Sequence, residues 1–129
     1  MKEKARIAHI FQFDAAHRLP DHKGKCAGIH GHTYSLEVVA EGLLIEAPGT
    51  SSDGMVADYL DIKKIVERVI LEHVDHQYLN EVFVFRPTVE NLAVRFLETL
   101  KAEGAKCDIN FVKVKLWESP TSYCEVGQF

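Results

Sequence analysis

Two histidines separated by one residue, His30 and His32, run directly into a stretch of strand-forming residues, Thr33-Tyr34-Ser35-Leu36-Glu37-Val38-Val39. Alternate side chains of a strand leave the same face, so this spacing predicts a strand that presents both imidazoles on one side of a sheet. A second such run precedes it. From Lys4 to Ala16 the chain alternates, with Ile7, His9, Phe11 and Phe13 on one side and Ala8, Ile10 and Gln12 on the other, which predicts a strand with both faces partly buried. The segment HRLPDHKGKCAGI between the runs holds a proline, two glycines and several charges, and reads as a long connection between antiparallel strands.

Two imidazoles on one face are most of a metal site. His17, at the end of the first run, offers a third, and three neutral histidines with one open position form the ligand set of a catalytic zinc. Cys26 lies four residues before His30 and admits two readings. It is either a reactive thiol beside an open site or the fourth ligand of a closed structural site. Arg18, His22, Lys23 and Lys25 share the same connection, either as solvated loop charges or as a cationic cluster for an anionic substrate.

The chain has 129 residues, 47% of them hydrophobic and 26% charged, which predicts one soluble domain over residues 1–129. A formal charge of -4 argues against a general nucleic-acid surface. With no apolar run of spanning or signal-peptide length, the expectation is a cytoplasmic protein with no membrane partner. The three cysteines, Cys26, Cys107 and Cys124, are odd in number and irregularly spaced, so thiols rather than disulfides are expected.

Beyond the turn-rich EAPGTSSDG, Asp58 is placed to cap a helix whose apolar positions Ile62, Ile65, Val66, Val69 and Ile70 repeat at helical spacing to about His73. Thr88 caps a second helix, with Val89, Leu92, Ala93, Phe96, Leu97 and Leu100 on one stripe and a stop at Gly104. Two further strands, Cys107 to Glu118 and Tyr123 to Val126, complete a β-β-α-α-β-β order. Between the helices, Asp75 and His76 are adjacent, and adjacent helical side chains do not meet; the octapeptide VDHQYLNE by itself favours a helix end with a capping carboxylate. Glu118 ends a strand face shared with Val112, Val114 and Leu116, as a solvated strand end or as a ligand anchor.

Together FDAAHRLP, KCAGIHGHTY, GMVADYLDIK, VDHQYLNE, RPTVEN and WES, in this order, resemble the 6-pyruvoyltetrahydropterin synthase and 6-carboxytetrahydropterin synthase family over nearly the whole chain. The resemblance implies the α+β tunnelling fold: a four-stranded antiparallel sheet with two helices on one face, whose subunits join edge to edge into a trimeric barrel, two of which stack. It implies Zn2+ held by His17, His30 and His32, with Cys26 as the catalytic thiol and Asp75 and His76 relaying protons. Glu118 would anchor the pterin ring, with Thr88 and Glu90 nearby. Tyr59 and Val74 stand where phenylalanine and leucine are common in the family.

The LPDHKGKC layout is most similar to the 6-carboxytetrahydropterin synthases of queuosine and deazapurine synthesis. The implied reaction converts 7,8-dihydroneopterin triphosphate to 6-carboxy-5,6,7,8-tetrahydropterin with release of triphosphate and acetaldehyde. One alternative stops at 6-pyruvoyltetrahydropterin. Others are a three-histidine zinc hydrolase with Glu37 or Asp14 as base, and a non-enzymatic zinc-stabilised assembly protein. The resemblance further implies a homo-oligomer, a trimer or a dimer of trimers, whose site draws Cys26 from one subunit and His76 from its neighbour.

Overall fold

The computed structural model describes residues 3–129. Two long strands, β1 (Lys4–His17) and β2 (His30–Leu43), pair antiparallel from Lys4 opposite Leu43 to His17 opposite His30. Alternation sets this register: Phe13 faces Tyr34 across the pair, with ring centroids 4.8 Å apart and nearly parallel. β4 (Phe111–Ser119) extends the sheet beside β2, and β5 (Ser122–Gly127) follows beside β4, both antiparallel.

The expected four-stranded antiparallel sheet requires correction. A two-residue strand, β3 (Gln77–Tyr78), pairs parallel with β1 at Ala15 and Ala16, giving a mixed five-stranded sheet in the order β3-β1-β2-β4-β5. Two residues are too few for any alternation to be read from sequence. The start of β4 also falls four residues later than expected, because Cys107 and Ile109 both donate backbone N–H groups to the Gly104 carbonyl and Asp108 takes a φ of 59°. That turn closes the preceding helix before the strand can begin.

One face of the sheet is covered by helices. α1 (Tyr59–Val66) starts at Asp58, whose carboxylate accepts the Leu60 N–H at 2.9 Å. It continues through a π-helical segment, Glu67–Leu71, into the short α2 (Glu72–Val74). The buried residues Ile62, Val66, Ile70 and Val74 recur every four positions. On an α-helix that row would rotate by about 40° per step, and the wider π turn takes up the drift so that Val74 still faces the core. After α3 (Leu79–Val82) comes α4 (Val89–Gly104), capped by the Thr88 hydroxyl accepting from Asn91 N–H at 3.1 Å. At its end Gly104 has no room for a Cβ against the Ile109 carbonyl, so only glycine fits where the chain turns back.

The core lies between these helices and the sheet, around Phe13, Tyr34, Leu36, Phe96 and Leu116. The expectation that both faces of β1 are buried holds for one face within this chain. Phe11, Phe13, Ala15 and His17 are buried under the helices, whereas Ile10 on the opposite face is 57% exposed. Two edges stay open as well: β5, and the part of β1 before Ala15 on the side away from β2. Among the described residues, no helix is long and apolar enough to cross a membrane.

Candidate metal centre and its surroundings

The strand register builds the candidate metal centre. His17 and His30 form the last cross-strand pair of β1 and β2, and His32, opposite Ala15, shares their helix-facing side. Ring centroids are 4.5 Å apart for His17 and His30, 5.0 Å for His17 and His32, and 4.9 Å for His30 and His32. One nitrogen from each ring lies within 4.8 Å of the others. His17 Nδ1 meets the Pro87 carbonyl at 2.8 Å, and His30 Nδ1 meets the Gly28 carbonyl at 2.8 Å. A carbonyl only accepts, so both Nδ1 atoms carry the hydrogen and both Nε2 lone pairs are left for a ligand.

The donor set fits a metal ion. His17 Nε2 and His32 Nε2 are buried without a hydrogen-bond partner, a costly arrangement for polar atoms unless something else satisfies them. Burial lowers the pKa of His17, against the opposing effect of its bond to Pro87. Burial likewise lowers that of His32, against the field of Glu118. Both rings are thus held in the neutral form that ligation requires.

Glu118, near the end of β4, brings Oε1 to 3.5 Å from His32 Nε2, beyond ordinary hydrogen-bond length. It stands beside the histidines and outside the 4.8 Å group. Its charge, after burial, helps push the Tyr34 phenol well above its ordinary pKa. A cavity of about 590 Å³ lies on the open face of the sheet, between Ile10, Gln12, Ser35 and Trp117, and also touches Glu118 and His32. That size is sufficient for a bicyclic ligand. Thr88 spends its hydroxyl on the α4 cap, one residue after the Pro87 carbonyl that holds His17. Glu90 is exposed in the first turn of α4. Burial, and then the charges of Glu90 and Glu125, raise the pKa of Cys124 on β5.

Cys26 is half-buried in a 3-10 turn, Lys25–Ala27, and its thiol does not belong to the three-histidine group. Of the four basic loop residues, two are occupied. Arg18 Nε donates to the Ala27 carbonyl at 3.1 Å, and His22 Nδ1 accepts the Gly24 N–H at 2.9 Å. Lys23 and Lys25 are exposed.

The capping role expected for Asp75 is replaced by direct contact with its neighbour. Asp75 leaves the helix with φ -68° and ψ 128°, and His76 takes a φ of 60°, the irregular backbone that lets adjacent side chains meet. His76 Nδ1 lies 3.0 Å from Asp75 Oδ1, which also accepts the Asp14 N–H at 3.0 Å. The His76 N–H donates to the Asp14 carbonyl at 2.6 Å. Asp14, Asp75 and His76 form a second cluster, separate from the three histidines. The Asp14 carboxylate accepts from the Thr33 hydroxyl, and both residues belong to the open face of the sheet. A second cavity of about 580 Å³ lies there between Asp14, Thr33, His76 and Tyr78. Glu37 is also on the open face, so neither base considered for a hydrolase is on the histidine side.

Two residues absent from the sequence-based set support the site, Pro87 through its carbonyl and Asn80, while Asp14, considered as a hydrolase base, holds the Asp75–His76 pair through its backbone. Asn80 Oδ1 accepts the Arg18 N–H at 2.9 Å, while its Nδ2 donates to the Arg18 carbonyl at 3.0 Å. Of the two, only Asn80, inside the VDHQYLNE motif, offered a polar side chain for sequence to flag.

Comparison with known proteins identifies the family of the chain. Residues 6–128 match the family model described as 6-pyruvoyl tetrahydropterin synthase. A Haemophilus influenzae protein named 6-carboxy-5,6,7,8-tetrahydropterin synthase is 34% identical, over 93% of this chain and 96% of its own. A Pyrococcus furiosus protein named dihydroneopterin monophosphate aldolase is 37% identical over 89% and 90%. The solved structure of Caenorhabditis elegans 6-pyruvoyl tetrahydropterin synthase superposes with a TM-score of 0.82 at 28% identity, covering 98% of this chain and 97% of that one. The chain belongs to the 6-pyruvoyl tetrahydropterin synthase family.

Proposed function

We propose that this chain is a zinc-dependent 6-carboxytetrahydropterin synthase, which takes 7,8-dihydroneopterin triphosphate and water to 6-carboxy-5,6,7,8-tetrahydropterin, acetaldehyde and triphosphate. The observation that carries the reading is the near full-length match to the H. influenzae protein of that name. A three-histidine group with two unpartnered buried nitrogens and a separate cysteine accords with it. The place of the reaction is then the synthesis of queuosine and other deazapurines.

Bound zinc supplies Lewis acidity toward the oxygens of the substrate side chain. Cys26 acts as the base that removes a carbon-bound proton, and His76, oriented by Asp75 at 3.0 Å, exchanges protons with it. Glu118 accepts paired hydrogen bonds from the amino-pyrimidinone edge, with Thr88 and Glu90 close to the ring. Lys23 and Lys25, exposed on the cysteine loop, meet the triphosphate.

This division of labour is composite between subunits. The metal ligands face the helices, whereas His76 clusters with open-face Asp14, so the sheet stands between them within one chain. Edge-to-edge joining of β5 with the unpaired part of β1 would cover Ile10 and bring one subunit's His76 to its neighbour's Cys26. A trimer, or a dimer of trimers, satisfies that geometry.

Incubation of zinc-loaded protein with 7,8-dihydroneopterin triphosphate, with mass spectrometry of products, tests the reading. The expected products are 6-carboxytetrahydropterin with one equivalent each of acetaldehyde and triphosphate. Release of 6-pyruvoyltetrahydropterin without acetaldehyde would assign the alternative synthase reaction. Turnover of the monophosphate alone would assign the aldolase reaction named for the P. furiosus relative.

A further inference from the structure

The loop that carries Cys26 is held from a distance. Its ends are fastened where β1 finishes: the Leu19 N–H donates to the Cys26 carbonyl at 2.8 Å, and Arg18 Nε donates to the carbonyl of Ala27 at 3.1 Å. Arg18 is in turn gripped on both backbone groups by the single amide of Asn80, at 2.9 and 3.0 Å. Asn80 sits four residues after His76, at the start of α3, in the segment that β3 straps onto β1 at Ala15 and Ala16. One short segment therefore presents Asp75 and His76 toward the open face and, through Asn80 and Arg18, holds the loop that contains the thiol.

We infer that Asn80 and Arg18 are positioning residues for Cys26, acting on the cysteine of their own chain although Asn80 is a sequence neighbour of His76. The inference rests on the proposed reading of Cys26 as base. An unpaired amide face would leave Arg18 free to swing, and with it the bond to Ala27, next to the thiol. Proton abstraction from carbon depends steeply on placement, so a loosened loop lowers turnover while zinc and pterin, held by strand residues, still bind. In a composite oligomer each strap then serves two sites, its own through Asn80 and a neighbour's through His76.

The test compares Asn80→Ala and Asn80→Asp with wild type. The aspartate keeps the acceptor for the Arg18 N–H but turns a second acceptor onto the Arg18 carbonyl, so it too is expected to loosen the loop. Asn80→Ala is expected to keep full zinc occupancy and an unchanged KM, and to lower kcat about tenfold. Alkylation by iodoacetamide, followed residue by residue by mass spectrometry, is expected to speed up at Cys26 by about tenfold. Cys124, half-buried on β5, is the internal control and keeps its rate. Equal acceleration at Cys26 and Cys124 would mean general loosening and would overturn the assignment; so would an unchanged Cys26 rate.

Mixed oligomers supply an independent reading. Asn80→Ala co-refolded with His76→Ala is expected to regain activity, whereas Asn80→Ala with Cys26→Ala is not, because its lesion lies on the cysteine side. The reverse pattern would place Asn80 with the relay and refute the inference. Cys26→Ala with His76→Ala is the control pair. Its failure would remove the composite reading, and the alkylation rates would then decide on Asn80 alone.

Discussion

The histidine trio and the Asp75–His76 pair lie near the same end of the sheet and are built by opposite means. The trio follows from regular strand pairing: His17 is fully buried, each of two rings is fastened by a backbone carbonyl, and all three candidate ligands come from one chain. The pair exists because the backbone breaks its pattern, with a positive φ at His76 and a side chain that is 75% exposed. Regular structure is enough to gather ligands for a metal. Bringing adjacent acid and imidazole into contact needs a local irregularity, and a group this exposed becomes a water-excluded proton relay only when another surface covers it.

The largest effect that sharpens the contrast is expected from Cys26→Ala: loss of turnover by about a thousandfold, with zinc retained, measured by product formation and metal analysis of the same preparation. Loss of zinc in that variant would make the thiol a ligand and merge the two regions. Next, His17→Ala, His30→Ala and His32→Ala are each expected to weaken zinc binding by about a hundredfold or more, read by chelator competition. Stoichiometric zinc in all three would dissolve the metal centre. Glu118→Gln is expected to raise KM about tenfold with zinc affinity nearly unchanged, because a neutral amide replaces a charge-assisted acceptor.

The smallest expected effect concerns pH. Burial lowers the folded-state pKa of His17 and His32 below the ordinary 6.5. Between the folded and unfolded values the unfolded chain binds more protons, so the stability contributed by these neutral rings is present above about pH 6.5 and is lost as pH falls below it. Denaturant midpoints of metal-free protein are therefore expected to drop on going from pH 7 to pH 5.5, with a smaller drop in a His17→Gln variant. An equal drop in both would detach the trio from the acid sensitivity.

Periodicity made much of this legible. The alternation of β1 and β2, the capped helices at Asp58 and Thr88, and the shared face of His30 and His32 are local properties, and local properties survive folding. Other features depended on contacts made across the chain. The Asp75–His76 contact needs a backbone conformation that no residue type there announces, so the octapeptide alone pointed to a cap. Gln77–Tyr78 became a strand only because β1 lay beside it. Arg18 and His22 read either as solvated loop charges or as part of a cationic cluster, yet a carbonyl and an N–H that only the folded loop brings near them take up their polar atoms. Alternation predicts a partly buried second face for β1, yet Ile10 on it is exposed within the single chain.

The central claim is that one active site takes its metal and thiol from one subunit and its relay from another. Co-refolding inactive Cys26→Ala and His76→Ala proteins tests it most directly. Random mixing should regenerate about one quarter of wild-type activity, the chance that a site pairs an intact Cys26 with an intact His76 from its neighbour. Mixed oligomers, verified by mass, that stay inactive would mean that each chain holds its own complete site, and would contradict the account.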